Sequence, residues 1–596
     1  MKKNIFKYTI ALVSLLFCLN ACDDKDFLTE KPETFYTVDN IFTSSEQVDQ
    51  LLTTCYRFVR RMYCPYNNSS ELDLWSYTMG NGTDVFDVPT IRMGYRFNDY
   101  SIINPENGVF RATYTAFYKL IALSNTALSV SEREGIVFDN AAAKAYATGQ
   151  ARFFRAFAYR NLAELFGGVP IVTEMATAPR YDYVRASRME TYQFAIDEME
   201  AILNDFPVTT PTAGKLVRAA LQHNLCQLYI DKGVLQQTEG GDSKSAFNKA
   251  LEYANAVIDG GTYKLMTERF GSRKDADPKF YYAMSKALQT DEHSYLSAGY
   301  EIKGNVYWDL FQVGNQDYQS GNTEAIWCAQ GDMDVMLDRN SYGATFYYPG
   351  IYGPVFRDQG GSVIGGTRQD VGGTGMCQIT PTTYARDLIY EGKWGEDLRN
   401  SDAVFRRTFL GNRTESEYYG KLIPWDVLYK VGADGKWADA AYTLIYPISV
   451  KIGPDWDPFF DAGYSQVAIT RDDYLIRLPE TILLRAEIKW RLGDNAGAAE
   501  DINMLRRRAQ CGYLVTANDV NVDLILDERT RELIYEESRW NTLLRMGGTV
   551  ATDRIKKYSY WDYPRATLNK TLDVWPIPQS VIDTNKDVPM DQNPGW

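Results

Sequence analysis

Two blocks of helical periodicity, separated by a long stretch that has none, limit how this chain folds. In the first block, SRMETYQFAIDEMEAILNDFP sets Ser187 and Glu190 at capping-box spacing and Tyr192, Ile196, Met199 and Leu203 at steps of four, three and four. This predicts a helix that opens at Ser187 and is ended by Pro207. KLVRAALQHNLCQLYIDKG then gives Val217, Leu221, Leu225 and Leu228, with Gly233 expected as the stop. AFNKALEYANAVIDGG gives Phe247, Leu251, Ala254 and Ile258, closed by Gly260 and Gly261. In the second block, RLPETILLRAEIKWRLGD has Pro479 in its first turn and ends at Gly493, and DNAGAAEDINMLRRRAQCG aligns Ala498, Ile502, Leu505 and Ala509. Paired helices with small residues on their packing sides follow the grammar of tetratricopeptide-like repeats. The copies are divergent and the blocks are not contiguous in sequence, so a regular solenoid is not expected.

From about Asp291 to Ala468 the chain changes character, and Gly, Tyr, Trp and Asn dominate. The expected organisation is therefore a helical part at 22–290, a loop-rich lobe at 291–468 and a second helical part at 469–596. Loops held by a rigid scaffold commonly carry binding, so function is expected in the lobe and in the early segment 72–107. Composition agrees with a folded protein: 45% hydrophobic and 23% charged residues exclude disorder. With only His223 and His293 in the chain, a His-rich zinc site, a HExxH helix and a two-His facial triad are all excluded. The 42 tyrosines, against 27 phenylalanines and 12 tryptophans, give much of the aromatic surface a hydrogen-bonding handle.

The first 21 residues read as a signal peptide. Lys2, Lys3 and Lys7 precede an apolar run from Ile10 to Leu19, too short to span a bilayer. Leu19-Asn20-Ala21-Cys22 resembles the lipobox of bacterial lipoproteins, which implies cleavage before Cys22 and its acylation. More than one acyl chain makes such anchoring stable. Asp23-Asp24-Lys25-Asp26 resembles the acidic signal that sends lipoproteins of the Bacteroidetes to the outer face of the outer membrane. Removing residues 1–21 takes three lysines and no acid, leaving 60 basic and 77 acidic residues, a net −17. That balance opposes non-specific nucleic-acid binding. Of the remaining cysteines, Cys55 and Cys64 are close enough to bridge, although buried free thiols are the expected state; no CxxC occurs. Asp455, Asp457 and Asp461 offer oxygen ligands for a structural Ca2+, but their spacing is not that of an EF-hand loop and a solvated acidic turn is expected. No other cofactor or metal is expected.

Five segments together resemble the SusD/RagB family of outer-membrane nutrient-binding lipoproteins. They are FLTEKPETFYTVDNIFTSSEQVDQLLTTCY after the lipobox, ARFFRAFAYRNLAELFGGVPIVTE at 151–174, YLIRLPETILLRAEIKWRLGDNAGAAEDINMLRRRAQ, ILDERTRELIYEESRWNTLLRMG and VWPIPQSVIDTNKDVPMDQNPGW. The resemblance implies a mostly α fold, in which tetratricopeptide-like helix pairs form a scaffold for a loop-rich ligand-binding lobe. It also implies a non-catalytic protein on the cell-surface side of the outer membrane that captures a glycan and passes it to a SusC-like TonB-dependent transporter. Glu480, Arg485 and Glu487, and Glu528, Arg531, Glu532 and Arg539, are expected to form ion-paired helix faces. Pro576, Pro578 and Asn593-Pro594-Gly595-Trp596 are expected to form a strand-and-turn closure, and Trp308 and Trp327 to lie in the core.

Sugar recognition needs aromatic faces for the C–H side of each ring and planar polar groups for hydroxyls, because a buried unpaired hydroxyl costs about 1–3 kcal/mol. Two segments carry that mixture. One offers Trp75, Tyr77, Asn81, Asp84, Arg92, Tyr95 and Asn98; the other offers Tyr342, Tyr347, Tyr348, Tyr352, Arg357 and Asp358. In the second, four tyrosines fall within eleven residues, interleaved with Gly and Pro and without any period, and are hard to bury together. His293 reads as a surface residue and His223 as mid-helix, off the apolar stripe. Two alternatives remain open: a peptide-binding RagB-like member, and a secreted glycoside hydrolase on a helical scaffold.

Overall fold

The structure is a computed structural model that describes residues 41–63, 80–89, 97–283, 286–331, 377–428, 445–453, 455–456 and 469–596. The first helices are α1 (Ser45–Tyr63), α2 (Gly108–Ser131), α3 (Ala141–Phe166), α4 (Arg188–Ile202), α5 (Arg218–Glu239) and α6 (Ser243–Ile258). The second set is α7 (Leu478–Arg491), α8 (Asn495–Arg508), α9 (Val522–Leu533), α10 (Arg539–Met546), α11 (Val550–Tyr558) and α12 (Gln579–Thr584).

Local chemistry sets most of these boundaries. Ser187 and Glu190 form the expected reciprocal capping box at the start of α4. Asn107, Asn140, Asp242, Asp494 and Asn521 each cap the following helix through a side-chain oxygen. Gly233 differs from expectation. Helix α5 runs through it to Glu239, and a Cβ at Gly233 would lie 2.5 Å from the Phe247 ring, so the glycine lets α5 and α6 approach closely. The helix stops instead at Gly240, where φ is +89°. On α6 the buried stripe is Ala246, Phe247, Ala250, Tyr253, Ala254 and Val257, with Leu251 and Ile258 at its half-buried edge.

Consecutive helices pack in series, α1 on α2, α2 on α3, α3 on α4, α4 on α5 and α5 on α6. Helix α6 then packs on α7 and α7 on α8, although residues 259–477 intervene. Two blocks that are far apart in sequence are thereby one layer of tetratricopeptide-like helices in space. The main core runs from Cys55 to Met590 and includes Phe153, Phe154, Trp327, Trp540 and Trp575. The closing segment seals the end of α3: the Trp575 amide donates to Leu165 O (2.6 Å), and Asn593 Nδ2 donates to Phe166 O and Trp575 O. The expected closure is met in its turn, at Gly595 (φ +83°), but not in its strand: none is assigned over 571–596, and Pro578 is instead the N-cap of α12.

The lobe is mostly irregular, with three two-stranded antiparallel ladders among the described residues. β1 (Phe86–Asp87) pairs with β3 (Thr380–Pro381), β2 (Ala325–Ala329) with β6 (Asp473–Arg477), and β4 (Phe405–Arg406) with β5 (Ile448–Ser449). β6 runs directly into α7, so the β2–β6 ladder joins the lobe to the scaffold. Among the described residues no helix is long and apolar enough to cross a membrane.

Candidate functional site

The segments marked by the sequence as ligand-bearing begin and end around one small core. That core contains Val85, Phe86, Ala329, Ile379, Ile452, Ile469 and Ile534, with Tyr63 packed against it. Tyr63 is where the described chain stops before residues 64–79, Ala329 and Ile379 flank 332–376, and Ile452 and Ile469 flank 457–468. Backbone and side-chain hydrogen bonds tie the stems together. Thr382 N donates to Val85 O (2.8 Å), Thr382 Oγ1 donates to Asp84 O (2.7 Å), and the Gly331 amide donates to the Asp472 carboxylate. Gly82, at φ +75°, lies so close to Phe97 O that a Cβ would sit 2.6 Å away.

Beneath this platform lies a lattice of buried ion pairs supplied by the C-terminal helices. Asp84 accepts from Arg539 Nη2 and Arg554 Nε, both at 2.7 Å. Burial alone would raise its pKa, but the two guanidiniums outweigh burial and hold it at about 2. Glu528 takes Arg399, Arg506 and Arg531 at 2.7–3.0 Å. Glu532 takes Arg508 (2.6 Å), Arg477 (2.9 Å) and Arg399 (3.2 Å). Arg477 and Arg508 also reach Glu324 at the foot of β2, and Arg399 also binds Asp397 (2.7 Å). The signature residues are thus ion-paired, as expected, but they do not form exposed helix faces. Glu528 and Glu532 are buried clamps between the scaffold and the lobe, whereas Arg485 pairs with Asp501, and Glu487 with Arg491 and Arg545, within the scaffold. Arg539 stands on α10, separated from α9 by a break at Tyr535, where φ is +68°.

Of the sugar-contact candidates, three lie among the described residues, Asn81, Asp84 and Asn98, and all are interior, Asp84 in the ion pairs above. Asn98 is fully buried and donates to Asp87 Oδ1 and Ser559 Oγ (3.0 Å each), while Asn81 is 5% exposed and accepts from Trp540 Nε1 through its carbonyl (2.9 Å). They hold the platform rather than line a surface. Trp75, Tyr77, Arg92, Tyr95, Tyr342, Tyr347, Tyr348, Tyr352, Arg357 and Asp358 lie outside the described residues, as do Cys22, Cys64, Asp457 and Asp461. Asp455 departs from the expected solvated turn: it is buried and accepts from Arg273 Nη2 (2.8 Å) and Trp308 Nε1 (3.2 Å). Trp308 and Trp327 are core residues. His223 is buried too, its Nδ1 2.9 Å from Thr481 Oγ1, and burial with three nearby arginines keeps it neutral. Cys55 is a buried free thiol.

The structure adds an aromatic group that the sequence reading passed over. Tyr282 meets Tyr419 edge-on at 5.3 Å and His293 at 5.7 Å, all three half-buried. Backbone bonds fix them: Tyr282 N donates to His293 O (2.9 Å), and Gly420 N donates to Gly411 O (2.9 Å). The available signal was the doubled tyrosine, since Tyr281-Tyr282 and Tyr418-Tyr419 repeat the Tyr347-Tyr348 pair. Tyr282 Oη donates to Glu292 O (3.0 Å), and Thr290 Oγ1 lies 3.3 Å from His293 Nδ1.

Two family models match the chain: one described as the SusD family over residues 455–596, the other as starch-binding, associating with the outer membrane, over 26–209. A SusD-like protein P2 of Formosa agariphila is 24% identical over 254 residues, 42% of this chain and 46% of that protein. The match thus spans less than half of that relative's length. A SusD-like protein of Bacteroides ovatus is 23% identical over 540 residues, 89% of this chain and 80% of that one. Among solved structures, a SusD homolog from Bacteroides thetaiotaomicron superposes with a TM-score of 0.66 at 16% identity, covering 95% of this chain and 100% of that one. Surface glycan-binding protein A from Bacteroides uniformis gives 0.59 at 18% identity, covering 92% and 99%. Sequence models at both ends of the chain and a shared fold between them agree with the clamped helical scaffold: the chain belongs to the SusD family.

Proposed function

We propose that this protein is a lipid-anchored binding protein on the cell-surface side of the outer membrane, which captures oligosaccharide and passes it to a SusC-like TonB-dependent transporter without cleaving it. The observation that carries the reading is the group of Tyr282, Tyr419 and His293, half-buried rings with the Thr290 hydroxyl beside them, on backbone-paired segments in and just before the lobe. Flat rings beside polar groups suit the two faces of a sugar. The tyrosines at 342–352, with Trp75, Tyr77, Arg92, Tyr95 and Arg357, extend the proposed contact set. The name of the Bacteroides uniformis protein supports glycan as the ligand class. The lipobox at Cys22 supports the anchor, and the outer-membrane description of the family model supports the location. Binding without turnover is supported by the engagement of the signature carboxylates in buried ion pairs with arginine.

Titration calorimetry of residues 23–596 against a panel of soluble α- and β-glucans, mannans and galactans tests the reading. Binding to at least one glycan is expected, with no release of reducing ends. Tyr282→Ala with Tyr419→Ala, and separately Tyr347→Ala with Tyr348→Ala and Tyr352→Ala, should weaken it at least about fivefold, given about 0.5–1.5 kcal/mol per aromatic contact. A folded protein that binds peptides and no glycan would replace this reading with the peptide-binding one.

A further inference from the structure

A second concavity lies on the helical scaffold, away from the lobe. Its floor is Tyr114, Tyr118 and Ile121 of α2, and its walls are Val172, Val581 and Met590. Tyr114 and Tyr118 stack at 4.8 Å, and Tyr118 Oη donates to Pro170 O (2.6 Å), so the floor is rigid. The volume is about 480 Å³, within the roughly 300–1,000 Å³ typical of ligand-sized cavities, and the lining is mainly apolar.

We infer that this groove is the seat of residues 26–40, the segment between the lipobox and α1. Three observations lead there. The first is reach: Phe42, just before α1, packs against the cluster that contains Ala127 and Val130 on α2. Nine helical residues separate Ala127 from Tyr118, about 13 Å at 1.5 Å per residue, a gap that four or five extended residues cover. The second is chemistry. The segment DFLTEKPETFYTVDN spaces Phe27, Leu28, Phe35, Tyr36 and Val38 among four acids and one lysine, while the groove has an apolar floor and its charged lining is two arginines, Arg111 and Arg180, against one acid, Glu174. The third is that the N-terminal family model begins at residue 26, so its pattern treats these residues as part of the domain. If Cys22 carries the lipid, as the functional reading has it, docking shortens the free tether to residues 23–25 and holds the body close to the membrane.

Amide hydrogen exchange on residues 23–596 tests the docking and does not depend on lipidation or on any glycan. Amides of residues 27–38 are expected to exchange at least about tenfold more slowly than an unstructured chain. Ala122→Trp, at an exposed position on the groove wall, should abolish that slowing and leave α1 unchanged. Phe35→Asp with Tyr36→Asp, which alters no residue of the groove, should abolish it too and raise labelling at 170–176. Unstructured-rate exchange in the unsubstituted protein, or full protection surviving in either variant, would overturn the assignment.

Discussion

Removing the Glu532 carboxylate should loosen the lobe from the scaffold at a cost of about 3–5 kcal/mol. The carboxylate is fully buried and accepts from Arg508, Arg477 and Arg399, and from Tyr307 Oη at 3.1 Å. Four charge-assisted bonds at about 1.5–3 kcal/mol each would suggest about 6–12 kcal/mol. That is too large, because each arginine keeps other acceptors: Arg477 retains Glu324 and Glu536, Arg508 retains Glu324, and Arg399 retains Asp397 and Glu528. What remains is the cost of one surplus buried positive charge, the usual penalty for breaking a buried pair from one side. Urea denaturation followed by tryptophan fluorescence, with Trp308 and Trp327 as buried reporters, measures it for Glu532→Ala and Glu532→Gln. Glu500→Ala, which breaks the exposed pair with Arg507, is the control and should hardly move the midpoint.

The pH dependence gives a second check. Despite its burial, the arginines hold Glu532 well below the usual carboxylate range. A folded pKa below the unfolded value gives stability that is complete above the unfolded pKa and fades as pH falls toward the folded one. The penalty of Glu532→Ala should therefore stay constant from pH 7 to about 5 and shrink below about 4.3. A loss under about 1 kcal/mol at pH 7, or a penalty that grows on acidification, would refute the clamp.

Asp84, Glu487 and Glu528 are each held at about 2, so stability should fall as pH drops from about 4.5 toward 2, by up to about 1.4 kcal/mol per group per pH unit, measurable by acid titration of far-UV circular dichroism. Gly233→Ala should destabilise despite the better helix propensity of alanine, because overpacking against Phe247 costs about 1–3 kcal/mol; a compensating Phe247→Leu should recover part of the loss in the same denaturation assay. Ser187→Ala should cost about 1 kcal/mol by removing the acceptor for Glu190 N, read as a shift in thermal midpoint.

The sequence by itself determined the elements that depend on neighbours along the chain. The capping box at Ser187, the Pro479 start and Gly493 end of α7, and the buried positions Ala498, Ile502, Leu505 and Ala509 are all local consequences of hydrogen-bond geometry and a 3.6-residue period. It also carried a family pattern at both ends, from which the mostly α scaffold followed. Gly233 was misread because a glycine at a helix end and one at a helix crossing look alike until Phe247 is in view.

Only the tertiary structure decided which charges are surface and which are interior. Glu324, Arg399, Arg477 and Glu532 lie in separate segments with no shared period, and their burial is affordable only because each finds its counter-charge across the lobe boundary. The same is true of Asn98, which as a short polar residue in a variable segment suits a sugar hydroxyl equally well. Its place inside the platform comes from Asp87 and Ser559, the latter 461 residues away in the chain, and no local pattern encodes a partner at that distance.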